Sequence, residues 1–308
     1  NEGKVADVEG YYENAKINRV YVDRVHVKKA FAEYTAAYNA DDPKIKLKID
    51  HTYRVAALCE RIAKAAGMCA YDVELAWLSG MLHDVGRFEQ IKRYNTFSDA
   101  DSVDHAKFGA DLLFKDGLIS TFLNGMVKCT GYKPGALEDR YSSDGVFLYD
   151  RLNKSDMEML ELAIRCHNMY RIPQGLNRRE QAFCNVLRDA DKVDIFKVNI
   201  DTPLEEIYNT TTEELMKSDI TDEVLEAFDE EHCILKAIRR TPADTVIGHV
   251  SLAYELVYDE SVRITVEQGY LAKLMHFHSD NEETNRKMAM VREKMDSYVK
   301  KRIGEKDA

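Results

Sequence analysis

Apolar residues recur at helical spacing along most of this chain, and little interrupts them: 15 Gly and 5 Pro are spread over 308 residues. Val25, Val27, Ala30, Phe31 and Tyr34 outline one amphipathic helix. A second is predicted from about Pro43 to Gly67, with His51, Val55, Leu58 and Ile62 along one stripe and Gly67 as its stop. A third, about Asp72 to Asp84, packs Leu75, Leu78 and Leu82 and ends at Gly86. A fourth starts near Ser102, whose hydroxyl can cap it, and carries Gly109, Leu112 and Leu113. Ser155-Asp156-Met157-Glu158 reads as a capping box, opening a helix with Met157, Leu160, Ile164 and His167 on one side. Another is expected from about Arg178 to Ile200, aligning Cys184, Leu187, Asp191 and Asp194. Acidic helices follow Pro203, the last capped within Ser279-Asp280-Asn281-Glu282. No sustained alternation marks a strand, so the expected class is all-α.

Between Lys128 and Lys154 the pattern changes to Gly, Pro, Tyr and mixed charge. This stretch reads as a loop or small hairpin inserted in the helical core, a candidate lid or a passive surface excursion. Residues 1–42 then form a helical extension packed on the core, 43–200 the core, and 201–308 a C-terminal helical region.

A net charge of −11 argues against general nucleic-acid binding, which needs a basic surface. An anionic ligand would need a local positive cluster or a metal to overcome that field. Cys59, Cys69, Cys129, Cys166, Cys184 and Cys233 form no Cys-x-x-Cys pair, and most lie in apolar helical runs, so they read as reduced, packed thiols. No apolar stretch approaches membrane-spanning length and no signal-peptide core is present, so a cytoplasmic protein is expected. A chain opening on Asn1 rather than Met is expected to have lost a few residues or a tag.

Against this background six residues stand out. His51, His167 and Asp191 each fall on the inward stripe of a helix, His83-Asp84 closes one, and His105 opens one. Imidazole nitrogen with carboxylate oxygen is the ligand set of a divalent transition metal. A carboxylate on an inward stripe needs a counter-charge, and a metal ion supplies one. Taken singly, each has an ordinary explanation: a hydrogen-bonded core histidine, an Asp191 paired with Arg188 or Lys192, a surface His105. Together they suggest helices converging on one cation. His26, His232, His249, His276 and His278 are left as structural or surface residues.

Asp50-His51, Leu82-His83-Asp84-Val85-Gly86-Arg87 and Arg188-Asp189-Ala190-Asp191-Lys192-Val193-Asp194 together resemble the HD-domain metal-dependent phosphohydrolases over about residues 43 to 200. The resemblance implies an all-α HD-domain core with additional C-terminal helices, and a first metal held by His51, His83, Asp84 and Asp191. Asp104-His105 and Cys166-His167-Asn168 stand where two-metal members carry two further histidines, which implies a second ion with Asp84 bridging. One or two divalent ions (Mn, Fe, Co, Ni or Mg) are therefore expected. The HD-GYP subfamily has a Gly-Tyr-Pro element after the later histidine. This chain has His167-Asn168-Met169-Tyr170-Arg171-Ile172-Pro173 there, so cyclic di-GMP hydrolysis is not supported.

The implied activity is hydrolysis of a small phosphoester, a nucleotide or related molecule, by a metal-activated water. Asp84 and Arg87 are the catalytic candidates, and Arg54, Lys107 and Arg171 the candidates for holding phosphate, although each is also an ordinary surface charge. Asp194, one turn from Asp191, is expected to support a ligand rather than be one. Tyr94, Phe97, Tyr132 and Tyr141 fall in loops where they can stack on a base. Two other readings stay open: a mixed-valence di-iron oxygenase, and a non-catalytic scaffold with a structural metal. No membrane or nucleic-acid partner is expected, and an oligomer is compatible with the sequence.

Overall fold

The structure, a computed structural model, describes residues 18–19, 22–123, 129–130 and 154–304. Helices dominate it, as the spacing of apolar residues predicts. The described exception is a two-residue antiparallel ladder, β1 (Asn18–Arg19) with β2 (Cys129–Thr130). No helix of the described residues is long and apolar enough to cross a membrane. The chain divides into two compact units, Asn1–Ile49 with His83–Arg165, and Asp50–Leu82 with Cys166–Ala308.

In the first unit, α1 (Arg24–Thr35) is capped by the Asp23 carboxylate, which accepts from His26 N–H. It buries Val27, Ala30 and Phe31, with Phe31 edge-on to Phe88 at 5.9 Å. Helix α2 (Pro43–Ala65) begins here with proline at its first position, where no N–H partner is lost. After α3 (Ala70–Leu82), the chain does not stop at Gly86 as expected. Only His83 and Asp84 intervene before α4 (Val85–Tyr94), which ends on Asn95 at φ 52°. Gly86 serves a close approach instead. A Cβ there would lie 2.5 Å from the His105 carbonyl oxygen and 2.7 Å from Gly109 N, so α4 and α5 (His105–Ala110) touch backbone to backbone. The α5 cap is Asp104, which accepts from Lys107 N–H. Ser102 caps nothing: its hydroxyl donates to the Ser98 carbonyl and accepts from the Gln90 amide. A π-helical turn (Asp111–Lys115) and α6 (Ile119–Leu123) follow. Apart from its two strand residues and Lys154, the candidate lid lies outside the described residues, as do Tyr132 and Tyr141.

Helix α7 (Lys154–Cys166) begins one residue before Ser155, so the expected capping box falls inside it. In the second unit, every residue of α3 from Val73 to Leu82 except Glu74 is buried, so it is surrounded on all sides. Gly80 lets α2 pack within 2.6 Å of the place a Cβ would take. Helix α8 (Arg178–Asp201) matches its predicted span, opens on an Asn177–Glu180 capping box, and is tied to α3 by Arg179 and Asp72 at 2.6 Å. Seven helices follow: α9 (Leu204–Tyr208), α10 (Thr212–Lys217), α11 (Asp222–Asp229), α12 (Pro242–Val250), α13 (Asp259–Gln268), α14 (Tyr270–Met275) and α15 (Glu282–Ile303). Within the predicted cap of α15, the capping side chain is Asn281, not Ser279. Cys59, Cys166, Cys184 and Cys233 are buried free thiols, whereas Cys69 is exposed rather than packed.

Candidate metal centre

His83 and Asp84 occupy the two-residue break between α3 and α4, and both are buried. The helix entry turns both Asp84 oxygens to account. Oδ2 lies 3.5 Å from His83 Nε2, and Oδ1 lies 3.6 Å from Nε2 of His105, the first residue of α5. Lys48 donates to Oδ2 at 2.7 Å, and Arg87 Nε stands 3.7 Å from Oδ1. Burial opposes a charge on Asp84. Lys48, His83, His105 and Arg87 overcome that opposition and hold its carboxyl well below the usual range.

Supporting groups fix this arrangement. Asp99 Oδ2 lies 2.7 Å from His105 Nδ1, leaving Nε2 as the atom presented to Asp84. Arg87 Nη1 donates to Gln90, the Phe97 carbonyl and Asp99. The Phe97 ring lies under Lys48 and Arg87 at 5.5 and 5.6 Å, so it holds two cations rather than standing open to a base. Tyr94 closes α4 and is exposed. Lys107 is a surface residue paired with Asp104 at 2.9 Å.

The second unit holds His51, His167 and Asp191. His51 is buried on α2, with Nδ1 2.6 Å from Asp194 Oδ2 and Nε2 3.1 Å from Asp191 Oδ1. Asp191 is 17% exposed, so it opens to solvent more than an inward stripe implies. Arg54, expected on phosphate, gives Nε and Nη2 to Asp194 at 2.6 and 2.9 Å. Burial raises the Asp194 carboxyl, but His51 and Arg54 together bring it below its ordinary value. His167, buried, directly follows α7. Arg188 of α8 anchors the turn after it by donating to the Tyr170 carbonyl at 3.0 Å. Arg171 is exposed, its guanidinium over the Tyr170 ring.

These donors suit a metal. Two atoms on one ion, with bonds of about 2.1 Å, lie roughly 3.0–3.4 Å apart at right-angle to tetrahedral geometry. The His51–Asp191 contact falls in that range. Within the first unit, ligand atoms of Asp99, Asp104 and His105 lie within 4.8 Å of one another. Sequence reading missed Lys48 and Asp99. Lys48 sits three positions before His51, almost one helical turn, which was the available signal; Asp99 lies in a loop and gave none.

The HD domain family model matches residues 49–238. The chain belongs to the HD domain family. That match runs from the turn before His51 through Asp191, covering every candidate ligand. No curated protein and no solved structure matches the chain. HD domains bind divalent metals and are generally metal-dependent hydrolases, and the His and Asp groups of this HD domain fit that superfamily.

Proposed function

We propose that this HD domain is a phosphohydrolase that cleaves a small phosphoester, with a nucleotide or related molecule as substrate. The observation that carries the reading is the placement of Lys48 and Arg87 beside Asp84, which puts two cations at a ligand carboxylate. In a chain of net charge −11, such cations favour an anionic, phosphoryl-bearing substrate over a neutral one.

His51, His83, Asp84 and Asp191 would hold one divalent ion, and Asp84 with His105 and His167 a second. A divalent ion held there would supply water of lowered pKa, from about 15.7 towards 7, and would polarise a phosphoryl oxygen. The protein's own groups do the rest. Asp194 and Asp99 fix the tautomers of His51 and His105 by accepting from Nδ1–H. Asp84 stays ionised, so it can accept a hydrogen bond from the attacking water and orient it. Lys48 can shift a donor from Asp84 to a phosphoryl oxygen, where charge develops. Arg87 is held by Gln90, Phe97 and Asp99 and positions Asp84.

The test is phosphate release over a panel of nucleotides with Mn, Co, Ni, Fe or Mg added to metal-free protein. Metal-dependent release is expected, and Asp84→Asn should reduce it at least about 100-fold, the scale of losing a group that acts in the transition state. Equal release by Asp84→Asn, or dioxygen consumption without phosphate release, would overturn the reading.

A further inference from the structure

Gln90 of α4 is fully buried, and its amide gathers four groups around it. It follows Arg87 by three positions, on the same face of the helix. Its Nε2 donates to Asp99 Oδ1 at 3.0 Å, to Ser102 Oγ at 2.9 Å and to the Val103 carbonyl at 3.1 Å. Its Oε1 accepts from Arg87 Nη1 at 2.8 Å. The amide fits only this way round. Turned over, its oxygen would face a carboxylate and a carbonyl, and its N–H groups would face a guanidinium. A buried amide satisfied on both ends has one orientation, and removing it strands its partners.

Asp99, Ser102 and Val103 lie in the loop between α4 and α5. Its turns are held by long backbone bonds, Asp101 N–H to Ser98 at 3.3 Å and Ser102 N–H to Asp99 at 3.4 Å. Such bonds do not place a carboxylate; the donors on α4 do. Gln90 Nε2 and Arg87 Nη1 both donate to Asp99 Oδ1, the latter at 2.9 Å. With Oδ1 so occupied, Oδ2 is turned to His105 Nδ1, at 2.7 Å. That contact orients the imidazole, whose Nε2 lies 3.6 Å from Asp84 Oδ1. Gly86 sets how closely the backbones of α4 and α5 approach, but a backbone contact does not set the rotation of the His105 ring.

We propose that Gln90 is a positioning residue for the ion that His105 binds. It touches neither metal nor substrate. It acts through Asp99, keeping Nε2 of His105 on the Asp84 carboxylate. The proposal rests on the divalent ion proposed for His105, and not on the identity of the substrate.

The test is titration of Co or Mn into the metal-free full chain, read by calorimetry without turnover. His105→Ala identifies the ion concerned by weakening it. Gln90→Met, of similar volume, should lower the affinity for that ion about 10–100-fold. Gln90→Glu keeps the bond to Arg87 but sets a carboxylate against Asp99, and should lose at least as much. Asp99→Asn should also weaken binding, and combined with Gln90→Met it should lose less than the product of the two single losses, because both act along one path. Thr35→Val removes a buried hydroxyl bond to the Phe31 carbonyl within α1 and should bind like the wild type. Wild-type affinity in either Gln90 variant, losses that multiply in full, or an equal loss in Thr35→Val overturns the role of Gln90. If His105→Ala itself binds like the wild type, the ion at His105 is overturned and the role falls with it; a loss in His105→Ala without one in Gln90→Met overturns Gln90 alone.

Discussion

Asp194 grips His51 and Arg54 at once: its Oδ2 lies 2.6 Å from His51 Nδ1, and its Oδ1 lies 2.6 Å from Arg54 Nε. The carboxylate therefore sets the imidazole tautomer and turns Nε2 to Asp191. Asp194→Asn keeps the shape but removes the charge that Arg54 balances. Metal affinity is expected to fall about 10–100-fold, the usual effect of losing such a supporting carboxylate. Competitive titration of metal into the metal-free protein checks this, and an unchanged affinity would refute the role.

This relationship also shows what was legible beforehand. The α8 span and the inward placement of His51 and Asp194 follow from a 3.6-residue period, so the sequence carried them. His83-Asp84 was visible as a pair, but the helix that resumes at Val85 was not, because Gly86 resembles a stop signal. Its real use, contact with Gly109, depends on a partner 23 positions away, which periodicity does not encode. Lys48 was overlooked for a similar reason: a lysine on a helix reads as solvated until its long stem is seen to reach Asp84.

Gly86→Ala tests that close approach directly. The new methyl would meet backbone atoms of His105 and Gly109 at 2.5–2.9 Å, and backbone cannot swing aside as a side chain can. A loss of about 1–3 kcal/mol is expected, the ordinary cost of overpacking. Metal affinity should fall too, since α5 starts at His105. Denaturant unfolding and metal titration read the two effects. Wild-type values for both would show that α4 and α5 can separate freely.

His249 offers a pH dependence. It is half-buried on α12, its Nδ1 is sealed from solvent without a partner, and its ring lies 5.5 Å from that of Tyr208. Burial, then Arg239 and Lys236, push its pKa down to about 3. The unfolded chain, with a histidine near 6.5, binds the proton first on acidification. Stability should therefore fall as pH drops from about 6.5 towards 3, by at most about 1.4 kcal/mol per pH unit from this residue. His249→Phe should flatten that part of the profile. Urea unfolding at several values across the window measures it, and identical slopes in the two proteins would rule His249 out as the source.

The family match ends at residue 238, yet Asp189, inside it, depends on residues beyond it. Asp189 is fully buried, and its acceptors are filled by Val257 N–H, Tyr258 N–H and the Ser261 hydroxyl, at the start of α13. It thus pins the turn of α8 that carries Asp191 to a segment outside the matched region. Asp189→Ala would strand two backbone donors and should cost on the order of 3 kcal/mol. Asp189→Asn, which keeps one acceptor oxygen, should cost less. A chain ending at residue 238 should lack the cooperative unfolding transition and the metal affinity of the full protein. Calorimetry of the three variants decides it: if the shortened chain melts cooperatively and binds metal like the parent, the C-terminal helices do not support α8.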